Sequence, residues 1–221
     1  MAPAAPARPF VLVLAGVNGA GKSSVGGALI AEHGLDWYNP DSFARALVAQ
    51  AGLGIEKANG RAWAHGKAQL EAAIAGGRSY AFETTLGAAT IPRLLAEAAR
   101  THDVVMLFCG LDSPEAHLRR VRARVRRGGH DIPEAKIRER WTHSRLNLIR
   151  LLPALARLQV FDNSAEAAEG EEIPDPLLLL EMAGGRLLHP APEDAAALRA
   201  TPEWARPIVQ AAIELQGGQG R

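Results

Sequence analysis

The sequence predicts an α/β protein built on a parallel β-sheet of about five strands, with helices on both faces. Three observations support this fold class. The 221 residues are 48% hydrophobic and 22% charged, which suits one folded domain with a buried core. Short β-branched apolar runs alternate along the chain with longer helical patterns. A glycine-rich stretch at residues 16–23 lies between the first apolar run and the first helical pattern, an order that α/β folds use at ligand sites.

The predicted strands are short apolar runs that end in polar or glycine-containing turns. They are expected at residues 10–15, 35–39, 79–83, 103–109 and 158–161. The fourth run is the most hydrophobic, so it is expected at the centre of the sheet, where both faces are covered. A β-hairpin is predicted near the C-terminus, at residues 177–182 and 186–189.

Helices are predicted where capping residues precede amphipathic or Ala-rich segments. They are expected at residues 21–32, 41–50, 55–74, 91–100, 113–127, 133–152 and 203–215. The chain is therefore predicted to divide into a disordered N-terminus (1–9), a core (10–164) and a C-terminal part (165–221). The core includes a helical lid at about 113–152, and the C-terminal part is an acidic linker, the hairpin and a helix packed on the core.

Composition argues against several classes of protein. The formal net charge is +1, so the surface as a whole does not predict binding to nucleic acid or to an anionic membrane. The single cysteine, Cys109, excludes a disulfide framework. The apolar run that follows the N-terminus is too short for a signal peptide or a membrane span. A cytoplasmic protein is expected.

Residues 16–23 match the phosphate-binding pattern G-x-x-x-x-G-K-[ST], the Walker A motif, at every fixed position. Its glycines let main-chain N–H groups converge on phosphate oxygens at the N-terminus of a helix. Lys22 is predicted to reach the β- and γ-phosphates, and the Ser23 hydroxyl to bind Mg²⁺. The sequence thus predicts ATP and Mg²⁺ as cofactors. The predicted nucleotide-binding residues of the loop are Gly16, Asn18, Gly19, Ala20, Gly21, Lys22, Ser23 and Ser24.

Polar side chains follow the second and third predicted strands, at the sheet edge where ligands bind in such folds. Asp41 is either a base that accepts the proton of an attacking hydroxyl or the N-cap of the next helix. The sequence weighs these two hypotheses equally. Glu83, Thr84 and Thr85 are candidates for contacts with substrate hydroxyls or with Mg²⁺, and a polar turn is the alternative. No hydrophobic run ends in the Asp of a standard Walker B strand, so Glu83 is the more plausible acidic group near the metal.

Six arginines lie between residues 119 and 127, and Arg138 and Arg140 follow the break at Gly128-Gly129-His130. Two arginine-bearing helices joined by glycines suit a lid that closes over phosphates and supplies bidentate donors. Residues on all faces of one helix cannot contact one ligand, so several are expected to be solvated. A nucleic-acid patch is the other alternative. Asn163, after the fifth strand, is predicted to contact adenine, or else to form an Asx-turn.

With these residues in place, the sequence resembles the zeta-toxin-like family of P-loop kinases between about residues 10 and 164. The resemblance is carried by the phosphate loop, Asn39-Pro40-Asp41, Phe82-Glu83-Thr84-Thr85, Arg124-Val125 before Gly128-Gly129-His130, Ile132-Pro133, Ile137-Arg138-Glu139-Arg140 and Asp162-Asn163-Ser164. The Gly-Gly-His lid is similar to that of the chromosomal, stand-alone branch of the family.

The resemblance implies a Mg²⁺–ATP kinase that phosphorylates a sugar nucleotide such as UDP-N-acetylglucosamine, and an antitoxin protein as a partner. It implies that Asp41 is the general base and that Glu83 organises substrate and metal. It also implies that Arg124, Arg138 and Arg140 clamp the phosphates. Three alternatives stay open from the sequence, namely a nucleoside or metabolite kinase unrelated to toxins, a regulatory ATPase and an RNA-binding protein.

Overall fold

The structure is a computed structural model that describes residues 8–23, 25–26, 37–166 and 174–219. Its sheet has the strand order β2-β1-β3-β4-β5-β6. The strands are β1 (Phe10–Ala15), β2 (Tyr80–Thr84), β3 (Asp103–Gly110), β4 (Arg157–Asp162), β5 (Leu177–Ala183) and β6 (Arg186–His189). The pairings among β2, β1, β3 and β4 are parallel, whereas β5 and β6 are added antiparallel to β4. The predicted α/β fold class, with β3 in the interior of the sheet, is confirmed.

The strand predicted at residues 35–39 is reduced to one bridge in the part that the structure describes. Tyr38 pairs in parallel with Phe82. Its N–H donates to the carbonyl of Ala81 at 2.9 Å, and its carbonyl accepts from the N–H of Glu83 at 2.9 Å. The extended segment stops there because Asn39 already caps a helix. Residues 35 and 36 lie outside the described residues.

Apart from a short helix at Ala195–Ala200, which was not predicted, the helices agree closely with the predicted segments. They are α1 (Pro40–Ala51), α2 (Ile55–Ala75), α3 (Thr90–Ala98), α4 (Pro114–Arg126), α5 (Glu134–Leu151), α6 (Ala195–Ala200) and α7 (Arg206–Gln219), with a 3₁₀ turn at Leu152–Ala154. Residues 22, 23, 25 and 26 are helical, and the rest of the helix predicted at 21–32 lies outside the described residues apart from residue 21. Among the described residues, no helix has the length and apolar character needed to cross a membrane.

The N-cap of α1 is Asn39 and not Asp41. The Asn39 side chain accepts a hydrogen bond from the N–H of Ser42 at 3.0 Å, and Pro40 occupies the first helical position. An amide oxygen and a proline in these places are the usual way to satisfy a helix N-terminus. Asp41 is therefore not the cap of α1.

The core lies on both faces of β1 and β3. Val11, Val13 and Phe108 are fully buried on one face, and Leu12 and Leu14 on the other. The C-terminal elements complete the first face, because side chains of β5, β6 and α7 belong to the same apolar cluster; they include Leu180, Met182, Leu187, Ile208 and Val209. The carboxyl ends of the parallel strands remain open for a site.

Candidate active site

The phosphate loop has a backbone that only glycine adopts easily. Gly16, Gly19 and Gly21 have φ angles of 139°, 84° and 85°, values that side chains other than glycine rarely allow. Gly16 also lies against the carbonyl of Cys109 in β3, so no Cβ fits there. The loop can therefore follow the sheet edge closely and turn its N–H groups towards an anion.

One carboxylate joins the phosphate loop to the neighbouring strand. The Lys22 Nζ atom lies 3.2 Å from Oε1 of Glu83, and both side chains are about nine-tenths buried. Oε2 of Glu83 accepts hydrogen bonds from the Ser23 hydroxyl at 3.1 Å and from Nδ2 of Asn39 at 2.8 Å. The sequence predicted Lys22, Ser23 and Glu83 as site residues but did not predict that Asn39 contacts Glu83.

The pair of Ser23 and Glu83 fits a magnesium ion. Mg²⁺ in nucleotide sites takes one or two protein oxygens, several waters and phosphate oxygens. The Ser23 hydroxyl and a carboxylate oxygen of Glu83 are 3.1 Å apart, beside the loop that would hold the phosphates. No cluster of three or more His, Cys, Asp or Glu side chains suited to a metal occurs among the described residues, and a nucleotide-bound Mg²⁺ does not require one.

Asp41 faces the lid. Its Oδ2 atom lies 3.5 Å from Nη1 of Arg124, and each side chain is more than one third exposed. Nη2 of Arg124 also donates to the carbonyl of His130 at 3.4 Å. Arg124 thus connects the Gly-Gly-His segment with the carboxylate predicted to act as base, in a place that solvent and substrate can reach.

The two arginines of α5 point to different places. Nη1 of Arg140 donates to Oδ1 of Asn18 in the phosphate loop at 2.7 Å. Burial lowers the pKa of Arg140, and the charges of Asp41 and Glu139 act in the opposite direction. Arg138 is not brought to the site. Its guanidinium is exposed and binds carboxylates of Glu115 and Glu134 at 2.8 and 2.9 Å. Two residues apart on a helix, the two side chains point away from each other.

A cavity of about 610 Å³ opens beside Lys22 and Asp41. Sequence-predicted residues on its wall are Asn18, Lys22, Asp41, Glu83, Thr84, Thr85 and Arg140. A second wall comes from α2, a helix that the sequence predicts but to which it assigns no site residue. That wall contains Glu56, Asn59, Trp63 and Lys67. The sequence signal that could have identified this wall is the spacing of these residues along α2, because it places large polar and aromatic groups on one helix face.

Asn163 stands apart from this cavity. Nδ2 of Asn163 donates to the carbonyl of Ala20 at 2.9 Å, and the side chain packs against Gly21 so tightly that no Cβ fits there. Asn163 therefore supports the phosphate loop directly, and its predicted contact with adenine stays a prediction. Ser24 lies outside the described residues.

A histidine to which the sequence assigned no role contacts the main chain of the phosphate loop. His117 of α4 is 1% exposed, and its Nδ1 atom lies 2.9 Å from the carbonyl oxygen of Asn18. Burial lowers the pKa of His117 to about 4. The imidazole is therefore neutral at neutral pH.

A phosphate loop between the first strand of a mainly parallel sheet and a helix N-terminus defines a P-loop nucleotide-binding protein. The chain belongs to the AAA domain family AAA_33, whose model matches residues 11–143. The comparison with curated proteins gave no match.

Solved structures share the fold at low sequence identity. A chain of the AvrRxo1-ORF1:AvrRxo1-ORF2 structure with sulphate ions is 17% identical with a TM-score of 0.59, over 90% of this chain and 65% of that one. A chain of the AvrRxo1-ORF1:-ORF2 structure with ATP is 17% identical with a TM-score of 0.59, and the match covers 94% of this chain and 64% of that one. A chain of the PezAT chromosomal toxin–antitoxin system of Streptococcus pneumoniae is 16% identical with a TM-score of 0.51, and the match covers 70% of this chain and 68% of that one. The present chain thus spans about two thirds of these relatives.

Proposed function

We propose that this protein is an ATP- and Mg²⁺-dependent kinase that transfers the γ-phosphoryl group to a hydroxyl of a small molecule. The observation that carries the proposal is the shared cavity. Lys22 of the phosphate loop and the Asp41 carboxylate line the same 610 Å³ space, and Arg124 and Arg140 approach them from the lid side. A hydrolytic ATPase needs no such acceptor space beside its base.

The residues suit an in-line transfer. The acceptor oxygen forms a bond to the γ-phosphorus while the bond to the β–γ bridging oxygen breaks, and ADP leaves. The acceptor proton passes to the carboxylate of Asp41. Lys22, Arg124 and Arg140 provide the positive charge that the transferring phosphoryl group requires. Ser23 and Glu83 would hold Mg²⁺, which would supply further neutralisation of the phosphate charge.

The acceptor proposed first is a sugar nucleotide of the UDP-N-acetylglucosamine type. This choice is supported by the motif order that resembles zeta-toxin-like kinases and by the fold shared with a chain of a toxin–antitoxin system. A partner protein of the antitoxin type and a cytoplasmic location belong to the same proposal. A nucleoside or metabolite acceptor is the alternative within the kinases, and acceptor-dependent release of ADP distinguishes the two.

The RNA-binding alternative gains no support from the arginine surface. The guanidinium groups of Arg119, Arg122 and Arg138 each bind a carboxylate, at 3.0, 3.5 and 2.8 Å. These ion pairs reduce the positive potential that RNA would require.

Two variants test the kinase proposal. Asp41→Asn is expected to bind ATP with wild-type affinity and to lose acceptor-dependent ADP release by a factor of about 100 or more. Lys22→Ala is expected to lose ATP binding itself. Asp103→Asn, at the far end of β3, is the matched control and should behave as wild type. Calorimetry with MgATP and a coupled ADP assay with a panel of hydroxyl compounds measure both steps. Normal turnover by Asp41→Asn would remove Asp41 from the mechanism.

A further inference from the structure

The cavity-facing side of α2 combines an aromatic plane with polar groups. Glu56, Asn59, Trp63 and Lys67 line the cavity at spacings of three and four residues, which places them on one helix face. Trp63 is 48% exposed, and it is the only aromatic residue among the exposed large hydrophobics in the described part of the chain. An indole left half in solvent on a cavity wall is available to a ligand.

The position of this face relative to Asp41 is fixed by Tyr38. The Tyr38 hydroxyl donates to the carbonyl of Ala62 at 2.6 Å, and burial raises the pKa of Tyr38 to about 12, so the proton stays in place. One turn further along α2, a Cβ on Gly66 would lie 2.5 Å from Cε1 of Tyr38. Because Tyr38 precedes the Asn39 cap, these contacts hold α2 against the segment that carries Asp41.

We propose that this face of α2 is the acceptor subsite, and that Trp63 stacks on a ring of the acceptor. The inference rests on the proposed function. Asn59 lies one turn before Trp63, so its amide can bind a polar substituent at the rim of a stacked ring. Lys67 lies one turn after Trp63, and its ammonium pairs with Oε1 of Glu71 at 2.6 Å, which leaves its other N–H donors for the ligand. The occupant is a hydroxyl-bearing ring compound, a sugar or a nucleoside, whose reacting hydroxyl lies towards Asp41. A ringless polyol fits the arrangement less well, because it has no apolar face for the indole.

The test compares KM for the acceptor with KM for ATP. UDP-N-acetylglucosamine, N-acetylglucosamine and uridine serve as ring-bearing probes, and glycerol as the ringless one. Trp63→Ala is expected to raise KM for the active ring compound about 10-fold or more, as loss of a stacking contact does, with KM for ATP unchanged. Trp63→Phe keeps an aromatic ring and should raise the acceptor KM less than Trp63→Ala does. Leu188→Ala removes an apolar side chain of similar exposure (53%) in β6 and is the matched control.

The outcomes separate this inference from the proposed function. If wild-type protein releases ADP in response to a ring compound but Trp63→Ala has an unchanged acceptor KM, the subsite is wrong and the kinase stands. Glycerol as effective as the ring compounds would also overturn the subsite. If no hydroxyl compound stimulates ADP release by wild-type protein, the kinase proposal fails, and the acceptor subsite fails with it.

A second and independent observation concerns His117. A carbonyl oxygen only accepts hydrogen bonds, so the contact of Nδ1 with the Asn18 carbonyl at 2.9 Å requires the proton on Nδ1. The carbonyl and the next N–H of a planar trans peptide point in opposite directions. With the Asn18 carbonyl directed to His117, the N–H of Gly19 is directed to the other side of the loop, where a phosphate loop encloses its anion.

Asn18 is also held through its side chain. Nη1 of Arg140 donates to its amide oxygen at 2.7 Å, so the two lid helices contact the same loop residue. His117 fixes the main chain and Arg140 the side chain. A hydrogen bond to the carbonyl also polarises the peptide and strengthens the donor at its other end.

We infer that His117 is a positioning residue that aims the Gly19 N–H at the bound phosphates. The inference requires nucleotide binding but not phosphoryl transfer. His117→Asn places an amide N–H near the position of Nδ1, whereas His117→Leu removes the donor. His117→Leu is expected to weaken MgATP binding about 10-fold, whereas His117→Asn should bind MgATP within about threefold of the wild-type affinity.

Calorimetry with MgATP gives the dissociation constants, and ¹⁵N NMR of the Gly19 amide on addition of ADP reports the N–H itself. The Gly19 resonance should shift strongly in wild type and His117→Asn, and weakly in His117→Leu. Thermal unfolding confirms that each variant is folded. If folded His117→Leu binds MgATP as wild type does, the inference is wrong. If His117→Leu does not fold, His117→Asn decides, since a folded Asn variant with weak binding and a small Gly19 shift also overturns it.

Discussion

Glu83 is the residue where the phosphate loop, β2 and the start of α1 meet. Its carboxylate lies 3.2 Å from Lys22 and accepts hydrogen bonds from Ser23 and Asn39. An ion pair this deeply buried is stable only when both charges are present, because either charge alone has lost its hydration without compensation. Under the proposed function, nucleotide binding would give Lys22 phosphate oxygens as new partners and leave the Glu83 carboxylate available to Mg²⁺.

Removing one partner of this pair should be costly. Glu83→Leu leaves the Lys22 ammonium buried and unpaired, and we expect the free energy of unfolding to fall by about 3 kcal/mol. Lys22→Met combined with Glu83→Leu should be less destabilised than Glu83→Leu alone. Urea unfolding of both variants measures this. Glu115→Gln, which breaks an exposed ion pair with Arg138, is the control and should be close to wild type. A double variant at least as unstable as Glu83→Leu alone would contradict the assignment.

His117 should make stability depend on pH. Its pKa is lowered from 6.5 to about 4 in the folded protein, so between these values the unfolded chain takes up a proton that the native chain does not. The free energy of unfolding is therefore unaffected by protonation of His117 above pH 6.5, and it falls by up to about 3 kcal/mol as pH decreases from 6.5 towards 4. Denaturant unfolding at a series of pH values measures it. His117→Asn should flatten this part of the profile, and an unchanged profile would exclude His117 as its source.

At the scale of elements, α2 carries two glycines in different surroundings. Gly66 is buried against Tyr38, whereas a Cβ at Gly60 would meet nothing within 4 Å. Gly60→Ala should stabilise the protein by about 0.5–1 kcal/mol, because alanine favours the helix. Gly66→Ala should destabilise it, because Tyr38 must move. Thermal unfolding of the two variants provides the measurement, each acting as the other's control. Equal effects of both alanines would show that Tyr38 does not hold α2.

Local signals were sufficient for most elements. The phosphate loop was predictable because its glycines and Lys22 are set by a backbone conformation within eight residues. The start of α4 was predictable because Ser113 and Pro114 are a local capping signal, and the Ser113 hydroxyl does accept a hydrogen bond from the N–H of Ala116 at 3.3 Å. The face of α2 was not, because nothing within that helix shows which side meets Tyr38. Arg138 and Arg140 were predicted to act together, and only the packing of α5 shows that Arg140 alone reaches the loop.

At the scale of the molecule, the sheet depends on its C-terminal part. Leu180 and Met182 of β5 and Trp204 lie in the same buried cluster as β1 and β3. The Trp204 ring packs directly on Gly110 at the end of β3, where no Cβ fits. The sequence predicted the hairpin but not its pairing with β4, because strand pairing between distant segments leaves no local pattern.

A chain ending at residue 166 should therefore lose cooperative unfolding. It would expose Leu158 and Val160 of β4 together with the edge of that strand, which favours aggregation. Calorimetry and binding of a hydrophobic dye measure the effect. Trp204→Ala in the full chain is the milder test and should cost about 3–5 kcal/mol. A truncated chain that melts cooperatively at the wild-type temperature would show that residues 10–164 fold independently.

The bridge between Tyr38 and Phe82 closes the base of the excursion that contains α1 and α2. The excursion leaves and rejoins the sheet at adjacent points, so its length and side chains can change without disturbing the strand order. Under the proposed function, the donor is handled by residues outside this excursion and the acceptor largely by residues within it. Changes confined to the segment that contains α1 and α2 could therefore alter the acceptor during evolution, while the residues that bind ATP stay the same.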